Sequence, residues 1–254
     1  GGIVRTVGRQ RYDQAVVLGG AGANTVLTSA GDGVVFRWTV DGGKNLSIDS
    51  GAGDVEFKGF VGLGTALSSL DISGGVPART IIDGGAVTTA GSQRYGEAVV
   101  LGGQGTDTQL SSGGGGVAFD RTVDGGKNLI IGSGAGDVTF TGAVGAAEAL
   151  RALFIDGAGV THIDGGIVTT AGKQRYDEAV VLGGAGESTV LTSADEGVVF
   201  RWTVDGGRNL SIASGAGDVE FEGFVGGGTA LSSLDISGGE TARTIVNGGA
   251  VTTG

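Results

Sequence analysis

Two glycine-rich loops of this 254-residue chain carry the residue types of a calcium cradle. In Gly19-Gly20-Ala21-Gly22-Ala23-Asn24 and Gly102-Gly103-Gln104-Gly105-Thr106-Asp107, carbonyl-rich turns precede a side-chain oxygen, as in the calcium-binding nonapeptide. The third loop of the kind, Gly183–Val190, has Ser188 in the acidic position. That motif works by tandem repetition, with ligands donated from adjacent turns, and calcium asks for about six or more oxygens. Here the loops are some eighty residues apart, so half the ligand set is missing. Asn24 and Asp107 are the metal candidates and calcium the one candidate cofactor; a plain turn is the preferred reading.

A second recurring string, Asp-Gly-Gly-Lys/Arg-Asn, runs from Asp41 to Asn45, from Asp124 to Asn128 and from Asp205 to Asn209. Asp, Gly and Asn tolerate tight turns and bond their own backbone there. These six residues are therefore expected to build corners, with Asn45 and its equivalents satisfying corner amides, rather than to hold an ion. Trp38 and Trp202 occupy equivalent positions beside Arg37 and Arg201, and the intervening equivalent is Arg121. An Arg replaces a Trp where the side chain reaches solvent, so both tryptophans are expected to be partly exposed. With Arg37 and Arg201 they are the ligand-binding candidates, and the alternative is that they merely cap corners.

Catalysis needs a nucleophile or base, an orienting partner and a charge stabiliser brought together. The single histidine, His162, falls in an irregular loop of the middle segment. Apart from Asp195-Glu196, no acidic cluster is unique to one segment. The expectation is a protein that is not an enzyme.

Positioning these residues is the task of a repeat. Gln-Arg-Tyr begins at Gln10, Gln93 and Gln174, giving spacings of 83 and 81 residues. Val-Asp-Gly-Gly, at Val40, Val123 and Val204, keeps the same two spacings. The copies are 1–83, 84–164 and 165–247, with 248–254 opening a fourth. Copies one and three are nearly the same text and copy two differs, an A-B-A order. Within a copy, short apolar segments recur about every ten residues between Gly, Asp, Asn and Ser, the pattern of strand and turn. In copy one they are Ala15–Leu18, 25–28, 34–40, 46–48, 55–60, 67–72 and 79–82. Only 65–70 offers a candidate helical turn.

The copies also test one another. Val55 and Phe57 recur as Val138, Phe140 and Val219, Phe221, while the residues between and after them drift. Leu46/Ile48 and the set Leu67, Leu70, Ile72 behave in the same way. Successive strand residues point to opposite faces, so a constant inner face and a free outer face describe a core. The fold class expected is all-β: a parallel β-solenoid of about twelve rungs, four per copy, with short strands and small inward residues. Three tandem antiparallel β-sandwich domains are the alternative.

Composition limits the function. Fifty-seven glycines with one proline, and no Gly-X-Y period, exclude collagen. Apolar residues at 39% against 17% charged are the reverse of a disordered chain. A net charge of −11 repels nucleic acid and anionic membrane surfaces. No apolar run approaches the ~18 residues of a membrane span. Without cysteine there is no disulfide framework, and a chain with neither Met nor a signal peptide reads as a mature fragment or excised piece.

At Gly84-Gly85-Ala86-Val87-Thr88-Thr89-Ala90-Gly91-Ser92-Gln93-Arg94-Tyr95, Ala98-Val99-Val100-Leu101, Thr122-Val123-Asp124-Gly125 and Val138-Thr139-Phe140, the sequence resembles known tandem repeats. They are those of filamentous-haemagglutinin-like and autotransporter-type bacterial surface adhesins. The resemblance spans nearly the whole chain and implies a right-handed parallel β-helix. It further implies export by autotransport or two-partner secretion, an extracellular or cell-surface location, and the role of an extended stalk. The many Arg, Trp38 and Trp202 depart from the commoner pattern. The partners expected are self, through neighbouring repeats or end-to-end copies forming filaments, and surface glycans or proteins meeting a Trp/Arg strip.

Overall fold

The computed structural model describes residues 2–254, all of them strand, bridge, turn or loop. Among the described residues, thirty short strands stack in parallel and coil about 11 times into a β-solenoid. The strands Ile3–Thr6, Gln10–Tyr12 and Val16–Val17 open a first, second and third face. On them lie Asn24–Ser29, Val34–Phe36 and Val40–Asp41 respectively. The antiparallel sandwich alternative is excluded, because the strands pair in parallel and one continuous core runs from Leu18 to Leu231.

The expected segments are present, with three changes. The run 34–40 is split by a corner into Val34–Phe36 and Val40–Asp41. The candidate helical turn at 65–70 is a bend, a bridge at Leu67 and the start of the strand Ser69–Ser73. Nor does His162 stand in a loop; it lies in the strand Val160–Ile163, paired with Thr139 and Val181.

Each copy supplies ten strands and one bridged valine, Val61, Val144 or Val225. Eleven positions on three faces are three and two-thirds turns, not the four expected, so the rung count is about 11 rather than twelve. At ~4.8 Å per turn the rod is about 50 Å long. The fraction matters more than the count. Each copy starts one face behind its predecessor, so Gln-Arg-Tyr lies on the second face, then the first, then the third. Only after three copies does the sequence return to the face on which it began.

The interior explains the repeated text. Tyr12, Phe36 and Phe57 stack with ring centroids 5.0 and 5.3 Å apart. Tyr95, Phe119 and Phe140 do the same at 5.2 Å, and Tyr176, Phe200 and Phe221 at 5.1 and 5.2 Å. Inward residues are thus not all small. In Gln-Arg-Tyr, two-residue alternation sends Gln93 and Tyr95 inward and Arg94 out. The Gln93 amide donates to the Ser111 and Val87 carbonyls, and its oxygen accepts the Tyr95 hydroxyl at 2.9 Å. Gln174 and Tyr176 repeat the arrangement. A buried amide needs such partners, so this string serves the core.

Candidate functional site

The fractional turn separates residues that the sequence invites one to group. Asn24 opens a strand of the first face and Asp107 a strand of the third, so they form no common site. Their oxygens accept amide hydrogens from the next turn: Asn45 donates to Asn24 and Asn128 to Asp107, each at 2.7 Å. Ser188 and Asn209 form the third pair, at 3.2 Å. In the second and third of these loops the carbonyls are engaged as well. Lys127 donates to those of Gly103, at 2.6 Å, and Gly105. Arg208 donates to those of Gly184 and Gly186. In these two loops a built-in cation sits where a calcium ion would gather oxygens. Among the described residues, no three of His, Asp and Glu gather into a metal-binding group.

The Asp-Gly-Gly-Lys/Arg-Asn strings do form corners, with the roles of Asp and Asn divided. Asp41 accepts the amides of Gly64 and Thr65, at 2.8 and 3.0 Å, on the following turn. Asp124 and Asp205 serve equivalent loops at 2.8 and 2.7 Å. The corner amides are thus capped by the aspartates, not by Asn45 as expected. Asn45, Asn128 and Asn209 instead link side chains between turns, and Ser69 and Ser233 extend two of these ladders.

Two buried carboxyl groups escaped sequence reasoning. Glu97 and Glu178 are 1% and 2% exposed. Glu97 lies two turns from Ser50, whose hydroxyl donates to it, and also accepts the Thr80 hydroxyl at 3.1 Å. Glu178 accepts from Ser133 at 3.0 Å and Thr161 at 2.7 Å. A Cβ at Gly74 or Gly157 would collide with these carboxyls, so each glycine is the opening through which the side chain passes. In both cases a Glu from one copy is seated in the preceding copy. Burial is the main cause that raises both pKa values, and nearby Asp54 and Asp49, or Asp137 and Asp156, push the same way. The signal in the sequence was the column Gln14, Glu97, Glu178, a polar residue in every copy immediately before the constant apolar run Ala-Val-Val-Leu.

The ligand-binding candidates are at corners. Trp38 and Trp202 are each 62% exposed, in keeping with the Arg121 substitution. Arg37 pairs with Asp13 at 3.4 Å, and Arg201 pairs with Asp177 at 3.1 Å and Glu222 at 3.8 Å. No strip joins the two sets. Trp38 stands between the second and third faces, Trp202 between the third and first, and Arg121 between the first and second. His162 has Asp137 at 3.8 Å, and no helix among the described residues is long and apolar enough to cross a membrane.

Scans against family models, curated proteins and solved structures find no match.

Proposed function

We propose that this chain is a non-catalytic stalk or spacer segment of a bacterial surface adhesin or secreted matrix fibre, acting outside the cell. The reading is supported by the continuity of the core across copy boundaries. The strand Arg79–Ile82 of copy one pairs with Ala98–Leu101 of copy two over four residues, as fully as strands within a copy. Val160–Ile163 and Ala179–Leu182 do so at the next boundary. The Glu97 and Glu178 side chains cross those same boundaries. A repeat protein whose stability is a sum of nearest-neighbour terms, with no weak interface, transmits position along its length. The adhesin-like repeat text supplies the rest of the reading.

Two measurements test it. Rods of three and six copies, placed between a surface anchor and a fluorophore, are expected to raise the fluorophore in proportion to copy number. The increment is ~18 Å per copy at ~4.8 Å per turn. Protease shaving of intact source cells is expected to release peptides from this chain. A fluorophore height independent of copy number would refute the spacer role, and peptides recovered only after lysis would refute the location.

A further inference from the structure

We propose that the edge carrying Trp202 is a binding site for a neutral polysaccharide, whose pyranose rings stack on the indole and run along the rod axis. This goes beyond the stalk reading and stands on different observations.

In a rod that keeps most of its large apolar side chains inside, Trp202 and Phe224 stand out on consecutive turns of one edge, 62% and 53% exposed. The indole separates two clefts. One, of about 310 Å³, is bordered by Gly157, Gly159 and Ala179 on the turns before it. The other, of about 350 Å³, is bordered by Phe224, Glu222, Gly223 and Gly248 on the turns after it. Successive turns place Gly223 and then Gly248 below the Trp202 position, and a Cβ on either would collide with the backbone above. Beside the indole there is consequently a slot two turns long without side chains, with the Phe224 ring lying over Gly249.

The shape suits a linear polymer laid along the edge. The chemistry suits a sugar. A pyranose ring has an apolar C–H face and a rim of hydroxyls, and indole is an aromatic surface with one donor. A small number of polar groups at an otherwise apolar cleft fixes orientation. Here those groups are Arg201 and Glu222, held together by their ion pair at 3.8 Å. Asp156, Asp177 and Glu222 outnumber Arg175 and Arg201 along the edge, and the chain carries −11 overall, so a sulfated or uronic polymer is repelled. A stable protein partner needs about 800 Å² on each side, more than one indole and one phenyl ring on a convex edge supply.

Copy two is the internal control. Its equivalent edge has the same glycines, Gly142 and Gly165, but Arg121 and Ala143 replace the aromatic pair. Arg121 folds back to donate to the Gly96 carbonyl at 3.2 Å, across the place where the first cleft lies in copy three. The glycines are required by the backbone in every copy; the aromatic walls are not.

Copy one carries the equivalent pair, Trp38 and Phe60, so the test uses the whole chain with Trp38→Ala and Phe60→Ala, which removes that pair and leaves Trp202 as the sole indole reporter. It is titrated with soluble oligomers of cellulose, xylan, mannan and chitin, and with heparin as the anionic control. Saturable fluorescence change and retardation in gels containing a neutral polymer are expected, with heparin inert. Trp202→Ala should weaken gel retardation at least tenfold with unchanged thermal stability, and Phe224→Ala by a smaller factor. Arg121→Trp with Ala143→Phe should add a second saturable event. Failure of every neutral polymer to bind, binding of heparin instead, or retention of binding by the folded Trp202→Ala variant overturns the proposal. So does sedimentation showing that Trp202 drives only self-association.

Discussion

The edges at Arg121 and Trp202 are made on the same backbone and end with different surfaces. Beneath each lies a stacked aromatic triad, Tyr95–Phe119–Phe140 or Tyr176–Phe200–Phe221, with almost identical ring spacings. Beside each is a glycine whose Cβ would overlap the carbonyl of the turn above. Outside, one edge closes on itself through the Arg121–Gly96 bond, whereas the other leaves an indole between two clefts. Interior and backbone thus set what a turn must be, and the corner side chain is left free to set what it does. The three-and-two-thirds-turn copy then puts successive corners on different edges, so features that recur in sequence are distributed around the rod.

The largest effect should come from breaking the shared interior. Phe119→Ala and Phe200→Ala each remove a ring stacked on both sides and are expected to cost about 3–5 kcal/mol. The costs should match to within about 1 kcal/mol if the two edges are equivalent inside. Denaturant titration of each variant decides this, and a larger gap would mean that the surface difference reaches the core. Next come the glycines. Gly142→Ala and Gly223→Ala force a methyl group into backbone and should cost about 1–3 kcal/mol. Gly132→Ala is the control: nothing lies within 4 Å of its would-be Cβ, and copy three already has Ala213 there. It should be neutral or stabilise by about 0.4–1 kcal/mol through the unfolded chain.

The buried carboxyls sharpen the comparison along the axis, since copies two and three carry Glu where copy one carries Gln14. Glu97 and Glu178 have folded-state pKa values above the usual carboxyl range, chiefly through burial. With rising pH the unfolded chain loses these protons first, so the folded state retains more of them. Stability is then full below the unfolded carboxyl pKa of ~4.5 and falls as pH rises through the folded value. Glu97→Gln and Glu178→Gln should flatten that part of the pH–stability curve and leave the acidic end nearly unchanged. A double variant that retains the full slope would place the titration elsewhere.

Much of the architecture was legible because strand alternation writes the core directly into the text. Val55/Phe57 and Leu46/Ile48, held constant between copies, are all buried. The exposed tryptophans were legible for a related reason, from a single Arg in the same column. The fractional turn was not. Two-residue strands such as Val16–Val17, and valines joined only by bridges, leave too faint a pattern for strand positions to be counted. Without that count, Trp38 and Trp202 fall on one imagined edge. The roles of Lys127 and Arg208 were hidden too, because their carbonyl partners lie 22 to 24 residues away on another turn.

The smallest effect concerns Thr108 and Thr189, equivalent residues of copies two and three. Both are buried, and their hydroxyls have no hydrogen-bond partner among the described residues. A hydroxyl removed from water without compensation is a cost to folding, whereas a methyl group of similar size in the same place meets the leucines of the core without that penalty. Thr108→Val and Thr189→Val are each expected to raise stability by about 1 kcal/mol. The two sites are far apart along the rod, so their effects should add within about 0.5 kcal/mol. Thermal or denaturant unfolding of the two single variants and the double variant measures both quantities. A loss of stability in either single variant would mean that a water molecule or an alternative rotamer satisfies that hydroxyl. Unequal gains would show that the interiors of copies two and three are less alike than their aromatic stacks indicate.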